Sequence, residues 1–157
     1  MDGARAATEA DLGVVARLWG DAVAELDGQR GGALLAGSLS RPDLEPFVRN
    51  GLENPEHLFV LGLVEGYPVG LAVANCERVR TDLVANVDLV FVEPNARRVG
   101  VAESMISVVA DWAAAKGCVG IDAPALPGNR AAKAFFEGQG FLARLLIMHR
   151  PLRRQDG

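Results

Sequence analysis

The segment Arg97-Arg98-Val99-Gly100-Val101-Ala102 sets two arginines and a glycine where an apolar run, Val87–Val92, has just ended at Pro94 and a helical pattern begins. The first N–H groups of a helix have no intrahelical partner, and the positive end of the helix dipole lies behind them. A turn of this kind binds phosphate. Gly100 lets an anion approach the backbone, Ala102 keeps the next turn small, and the arginines add charge. By itself the pattern equally describes an ordinary helix start with exposed arginines. Asn129 carries the same double meaning, as a helix cap, a ligand contact or both. The remaining candidates for metal or thiol chemistry are few. Cys76, Cys118, His57 and His149 are the only residues of their types, and they show no zinc-ligand spacing. The two cysteines read as core residues rather than a disulfide framework, which fits a reducing cytoplasm.

The surrounding elements must position that turn. Arg5-Ala-Ala reads as a short edge strand. Thr8-Glu-Ala-Asp11 is a helix start with Thr8 as N-cap. Leu12, Val15, Ala16, Trp19, Ala22, Val23 and Leu26 then follow at helical spacing. Gln29 to Asn54 is irregular, with one or two short helices, one around 43–50. Leu58–Val64 and Tyr67–Ala74 flank Glu65-Gly66 as a β-hairpin. After the strand Val87–Val92, a helix spans Gly100–Lys116, with Val101, Met105, Val108, Val109 and Trp112 inward and Gly117 as its stop. Val119–Ile121 is a short strand, Arg130–Glu137 a second helix, and Phe141–Met148 the last strand or strand pair. The strand–helix–strand unit from Val87 to Ile121 requires a right-handed crossover between parallel strands. The expected fold class is α/β, a central mixed twisted sheet with helices on both faces, in one domain spanning 1–157.

Composition narrows the function classes. Sixteen basic and 20 acidic residues give a net charge of −4, which argues against nucleic acid as the main partner. The N-terminal residues lack the apolar run of a signal peptide, and no stretch approaches the ~18–20 apolar residues of a membrane span. A cytoplasmic globular protein without a membrane partner is expected.

Two ordered motifs give this reading a family. Arg97-x-x-Gly100-x-Ala102, just after a strand and Pro94, resembles the acetyl-CoA signature Arg/Gln-x-x-Gly-x-Gly/Ala of the GNAT N-acetyltransferase superfamily. Downstream, Asn129, Ala132, Phe135, Phe136, Glu137, Gly140 and Phe141 stand in the register of the family's Asn-x-x-Ala-x-x-Phe-Tyr-Glu-x-x-Gly-Phe. The opening Arg5-Ala-Ala-Thr8-x-x-Asp11 and the ending Met148-x-Arg-Pro-Leu152 are also similar to the family's. The resemblance implies the GNAT acyl-CoA N-acyltransferase fold and an acetyl transfer from acetyl-CoA to an amine, by direct attack in a ternary complex. It implies no metal and is compatible with a homodimer. Backbone groups of Val90, Phe91 and Val92 would pair with the pantetheine arm. Arg97, Arg98, Val99, Gly100, Val101, Ala102 and Glu103 would form the pyrophosphate cradle, and Asn129 and Phe136 would touch the cosubstrate from the second helix.

Phe136 departs from the pattern, because the family usually has a Tyr there that protonates the departing thiolate, and Phe cannot. A thiol of pKa ~8.5 still leaves tolerably well as thiolate. A working transferase without that acid and a non-catalytic acyl-CoA-binding regulatory module are both open on this ground. For the base that deprotonates the amine, Asp88 is the first candidate, since Asp is disfavoured in strands yet stands in the one that would border the thioester. It equally suits a structural role, ordering a neighbouring loop by hydrogen bonds. Glu77 and Asp122 are weaker candidates, and Glu25 and Asp27 could line the acceptor side; all four also read as solvated charges. The acceptor would be selected by Gln29–Asn54 and by a Cys76–Ala85 loop.

Overall fold

The computed structural model describes residues 3–97 and 99–153. Strand β1 (Gly3–Ala6) leads to a 3-10 turn at Glu9–Asp11 and then helix α1 (Leu12–Asp27). Asp11 fixes this entry: it accepts from the Thr8 backbone N–H at 2.8 Å and pairs with both Arg5 nitrogens at 2.7 and 3.0 Å. The Arg5 guanidinium holds its carboxyl down at about 2. Two short helices follow, α2 (Ala33–Leu39) and α3 (Leu44–Glu53), then strands β2 (His57–Val64), β3 (Tyr67–Val79) and β4 (Asp82–Val92). Helix α4 (Val101–Lys116), strand β5 (Cys118–Asp122) and helix α5 (Arg130–Gly138) complete the described elements. The sheet runs β1-β2-β3-β4-β5, antiparallel except for the parallel β4–β5 pair that the crossover through α4 requires.

Strand alternation splits the core in two. Phe59, Leu61, Leu71 and Val73 face α1 and α3, where they meet Val15, Leu18, Trp19, Ala22 and Val48. Val60, Ala72, Ala74 and Val87 face α4 and its Val101, Met105 and Val109. Helices therefore cover both faces, as expected. The inward stripe of α4 is shifted slightly: Ile106 and Ala113 are buried, while Val108 and Trp112 are only partly so. No helix among the described residues is long and apolar enough to cross a membrane.

Three expectations are corrected. Cys76–Ala85 is not a loop: β3 continues to Val79, β4 begins at Asp82, and Cys76 pairs with Ala85. Its polar side chains are exposed, so the ladder is carried by backbone hydrogen bonds that no apolar pattern reports. Phe141–Met148 forms neither a strand nor a strand pair, because no strand within the described chain is aligned with it. Cys76 and Cys118 are not core residues: both are partly exposed, with sulfurs 3.6 Å apart. Burial and then the neighbouring Cys118 push the Cys76 thiol up to about 11.

One packing contact sets the height of α4. Gly62 of β2 and Gly70 of β3 are direct cross-strand partners beneath it. A Cβ at Gly62 would overlap a Val101 methyl and crowd Met105, and one at Gly70 would lie 3.0 Å from Met105 Cε. The helix start is thus seated on bare backbone. Gly62→Ala is expected to lower stability by ~1–3 kcal/mol through overpacking. Gly13→Ala, on the exposed face of α1 where a Cβ meets nothing, should raise it by roughly 0.5–1 kcal/mol. Urea titrations of the two variants at unchanged m-value check both signs.

Candidate active site

Val87-Asp-Leu-Val-Phe-Val92 reads as a uniform apolar run broken by one carboxylate, but the strand is not uniform. Val73 pairs with Leu89 while Ala74 pairs with Val87, so Asp88 is the extra residue of a β-bulge. The bulge reverses the alternation. Val87 faces α4, whereas Leu89 and Phe91 face α1. At the same level β4 and β5 part. Their parallel pairing ends at Asn86–Asp122, and β4 runs on to Val92 with no strand beside it on that side among the described residues. The parting opens a cleft of about 540 Å³ between α1, β4 and α5.

The structure brings Asp88, Val90, Phe91, Val92, Arg97, Ala102, Asn129 and Phe136 together in the wall of this cleft. The free edge of β4 offers backbone groups to an extended ligand arm, which would add to the sheet as a strand does. At the end of the strand, Gly100 takes φ +76° and caps α4, with open space where a Cβ would be. That conformation is strained for residues with a side chain, most of all a β-branched one. The Val101 side chain is buried under α4, so this residue offers the turn only its N–H. Val99 is exposed and Glu103 lies in the first turn of α4; neither they nor Gly100 and Val101 line the cleft, which Arg97 and Ala102 do. Arg98 lies outside the described residues.

Arg97, expected to add positive charge at the turn, is itself engaged by neighbours. Its Nε donates to the Val92 carbonyl at 2.8 Å, and its terminal nitrogen reaches both Glu25 carboxylate oxygens at 2.6 and 2.8 Å. It also takes up the Val92 carbonyl assigned to the ligand arm. Arg17 makes a parallel tie to Glu93 at 2.8 Å, so α1 holds the β4–α4 connection at two points. Asn129 does what a cap does, accepting from the Ala132 N–H at 3.0 Å, while it also borders the cleft.

Among the candidate bases only Asp88 lines the cleft; Glu25, expected on the acceptor side, also lines it and is engaged by Arg97. Glu77 accepts from Asn86, Asp122 pairs with Arg144, and Asp27 does not border the cleft. Asp88 is half-buried and accepts one hydrogen bond, from Asn75 Nδ2 at 2.7 Å. Burial pushes its carboxyl above the ordinary range, against the opposing pull of Asn75 and of the His57 charge. Phe136 packs edge-on against Phe135 and tilted against Phe141, with no polar atom to give. Tyr67, 73% exposed at the start of β3, is not a substitute acid in the cleft.

Sequence reasoning missed Asn75, whose amide holds the Asp88 carboxylate. Asn75 stands one residue past the apolar run Tyr67–Ala74, so no break in a strand pattern marked it. Of the Gln29–Asn54 region expected to select the acceptor, Gln29, Arg30 and Leu35 line the cleft.

The family model described as Acetyltransferase (GNAT) family matches residues 26–141. No curated protein matches the sequence. Among solved structures, a tetramutant of the BH1408 protein from Bacillus halodurans superposes with a TM-score of 0.77 at 16% identity, covering 95% of this chain and 99% of that one. AAC(6')-Iy in complex with the bisubstrate analog CoA-S-monomethyl-acetylneamine gives 0.73 at 19% identity, covering 98% and 99%. The aminoglycoside acetyltransferase meta-AAC0020 from an uncultured soil metagenomic sample, in complex with sisomicin, gives 0.72 at 18%, covering 97% and 95%.

Gly100→Val should leave the fold in place, since the new side chain meets no core atom, but strain the turn and fill the space an anion would enter. Acetyl-CoA affinity is expected to fall at least ~10-fold, or ~1.4 kcal/mol. Calorimetry checks the affinity and circular dichroism the fold; unchanged binding would refute the phosphate-cradle reading.

Proposed function

Because the chain belongs to the GNAT acetyltransferase family, we propose that it moves the acetyl group of acetyl-CoA to the amine of an acceptor that enters from the α1–α2 side, with Asp88 as the general base. The observation that carries this reading is the bulge at Asp88, which turns a half-buried carboxylate toward the cleft at the level where β4 and β5 part. Acetyl-CoA supplies an activated acyl carbon. The chain supplies placement and a proton acceptor. The β4 edge from Val90 holds the pantetheine arm, and the turn from Arg97 through Glu103 receives the pyrophosphate. A lysine-like amine, with pKa ~10.4, is almost wholly protonated at neutral pH, so it must lose a proton before it attacks. Asp88 takes that proton, directly or through water. The neutral amine nitrogen bonds to the acyl carbon, the carbon–sulfur bond breaks, the sulfur departs as thiolate, and the second N–H proton leaves to water or to that thiolate. The raised pKa of Asp88 suits it to this work, since a stronger base accepts a proton more readily. A cytoplasmic setting fits a cosubstrate of this kind.

The second reading, an acyl-CoA-binding regulatory module, is favoured by Phe136, which cannot donate a proton to the leaving sulfur. Release of free thiol from acetyl-CoA in the presence of a panel of amines separates the two.

Asp88→Asn is expected to lower kcat by ~10²-fold or more, with acetyl-CoA affinity changed less than about twofold. Asp88 works as the deprotonated form, so the wild-type rate rises with pH through its pKa, which burial places above ~3.9. The variant's pH–rate profile should lose that acidic limb. Phe136→Tyr should change turnover less than ~10-fold, or ~1.4 kcal/mol of barrier, because deprotonation and attack limit a site whose leaving group departs easily. A gain of ~10² or more would instead favour the second reading.

A further inference from the structure

Cys76 and Cys118 are the only cysteines of the chain, and they meet outside the cleft although 42 positions separate them. Cys76 pairs with Ala85 and Cys118 with Leu83, so the two stand on the strands that flank β4. Ala85, fully buried beside Cys76, carries only a methyl group, which leaves room for the sulfurs to approach to 3.6 Å over β4. A disulfide does not suit this placement. Strands two apart in a sheet lie ~9.5 Å from each other. A disulfide spans only ~4.4–6.8 Å between Cα atoms, so it would have to draw β3 and β5 together across β4. An ion between the sulfurs needs no such movement. Two metal–thiolate bonds of ~2.3 Å set in line span ~4.6 Å, so each sulfur has to retreat by only ~0.5 Å. Among the described residues no group of three or more His, Cys, Asp or Glu side chains could hold a metal. That excludes the four-ligand set of zinc and leaves two thiols by themselves. Two thiolates in line suit a soft ion with a filled d shell, and thiolate ligands select copper(I).

We infer that Cys76 and Cys118 form a two-coordinate thiolate site for copper(I), placed across β4 just before β4 and β5 part. Binding exchanges protons for the ion. Each thiol gives one proton to solvent, two copper–sulfur bonds form, no electron is transferred, and the occupied site carries one net negative charge. Lys116, at the end of α4, favours that charge, while Glu56 opposes it. Both cysteines are partly exposed, so the ion has a way in. Once bound, it ties β3 to β5 at the base of the cleft and stabilises the sheet where it is about to divide. The inference does not depend on what the cleft turns over.

The test titrates the full chain, reduced and kept free of oxygen, with copper(I) buffered by bathocuproine disulfonate. The expected result is one ion per chain, an X-ray absorption spectrum fitted by two sulfurs and no third ligand, and a raised Tm. Cys76→Ser and Cys118→Ser should each lose ~10²-fold or more in copper(I) affinity, because a second tethered ligand multiplies the hold of the first. Diamide should form no bond between the two cysteines in the folded, metal-free chain, as mass spectrometry reads. A wild type that takes up no more copper(I) than the double variant Cys76→Ser/Cys118→Ser overturns the inference. So does a single variant that binds as tightly as wild type, or an ion with three or more ligands. A Cys76–Cys118 disulfide formed by diamide with the circular dichroism unchanged overturns it in favour of a redox pair. If a variant does not fold, the stoichiometry and absorption spectrum of the wild type still decide.

Discussion

The parting of β4 from β5 is the constraint on which the rest of the molecule turns. A strand inside a sheet satisfies its backbone on both sides, and a group left bare in an enclosed place is costly. After Asn86 and Asp122 the two strands separate, and β4 continues for six residues with one side unpaired among the described residues. The bulge at Asp88 belongs to the same event, since a bulge bends its strand and increases the local twist. One irregularity thus opens the cleft, bares an edge for a strand-like ligand, and re-aims a carboxylate. The parallel β4–β5 pair and the crossover through α4 then bring the start of α4 to the far end of that same edge.

Much of this was legible in the residues. The turn at Gly100, the helix stripe from Leu12, the hairpin around Glu65-Gly66 and the cap at Asn129 are local signals, and local signals survive into the fold. The bulge was not legible, because Val87–Val92 is apolar on both sides of a sheet covered on both faces, and such a strand has no alternation to lose. The engagement of Arg97 was hidden for another reason. Its partner Glu25 is 72 positions away in the chain, and only the docking of α1 brings the two together. The ending misled most. Phe141–Met148 has the composition of a strand, but composition does not say where a strand finds its neighbour.

The seating of α4 shows how remote packing reaches the cleft. Gly62 and Gly70 lie across from each other on β2 and β3, on the far side of the sheet from α1, yet they fix how deeply Val101 settles. Val101 opens the helix whose cap is Gly100. The position of the proposed anion site is therefore set by the absence of two methyl groups one helical turn below it, a dependence that a list of cleft-lining residues would not contain.

The tie between Arg97 and Glu25 has a consequence for the order in which two substrates arrive. Glu25 stands on α1, on the side where the acceptor is proposed to enter, and Arg97 stands on the turn that would meet the pyrophosphate. An acceptor cation that draws Glu25 to itself releases Arg97 toward the phosphates. A phosphate that draws Arg97 away leaves Glu25 free for a cation. If both ligands bind as proposed, each would raise the affinity of the other by the same factor, as thermodynamic linkage demands. A single exposed ion pair between the two halves of the cleft would make its two occupants cooperative, with a coupling that weakens as added salt screens the charges.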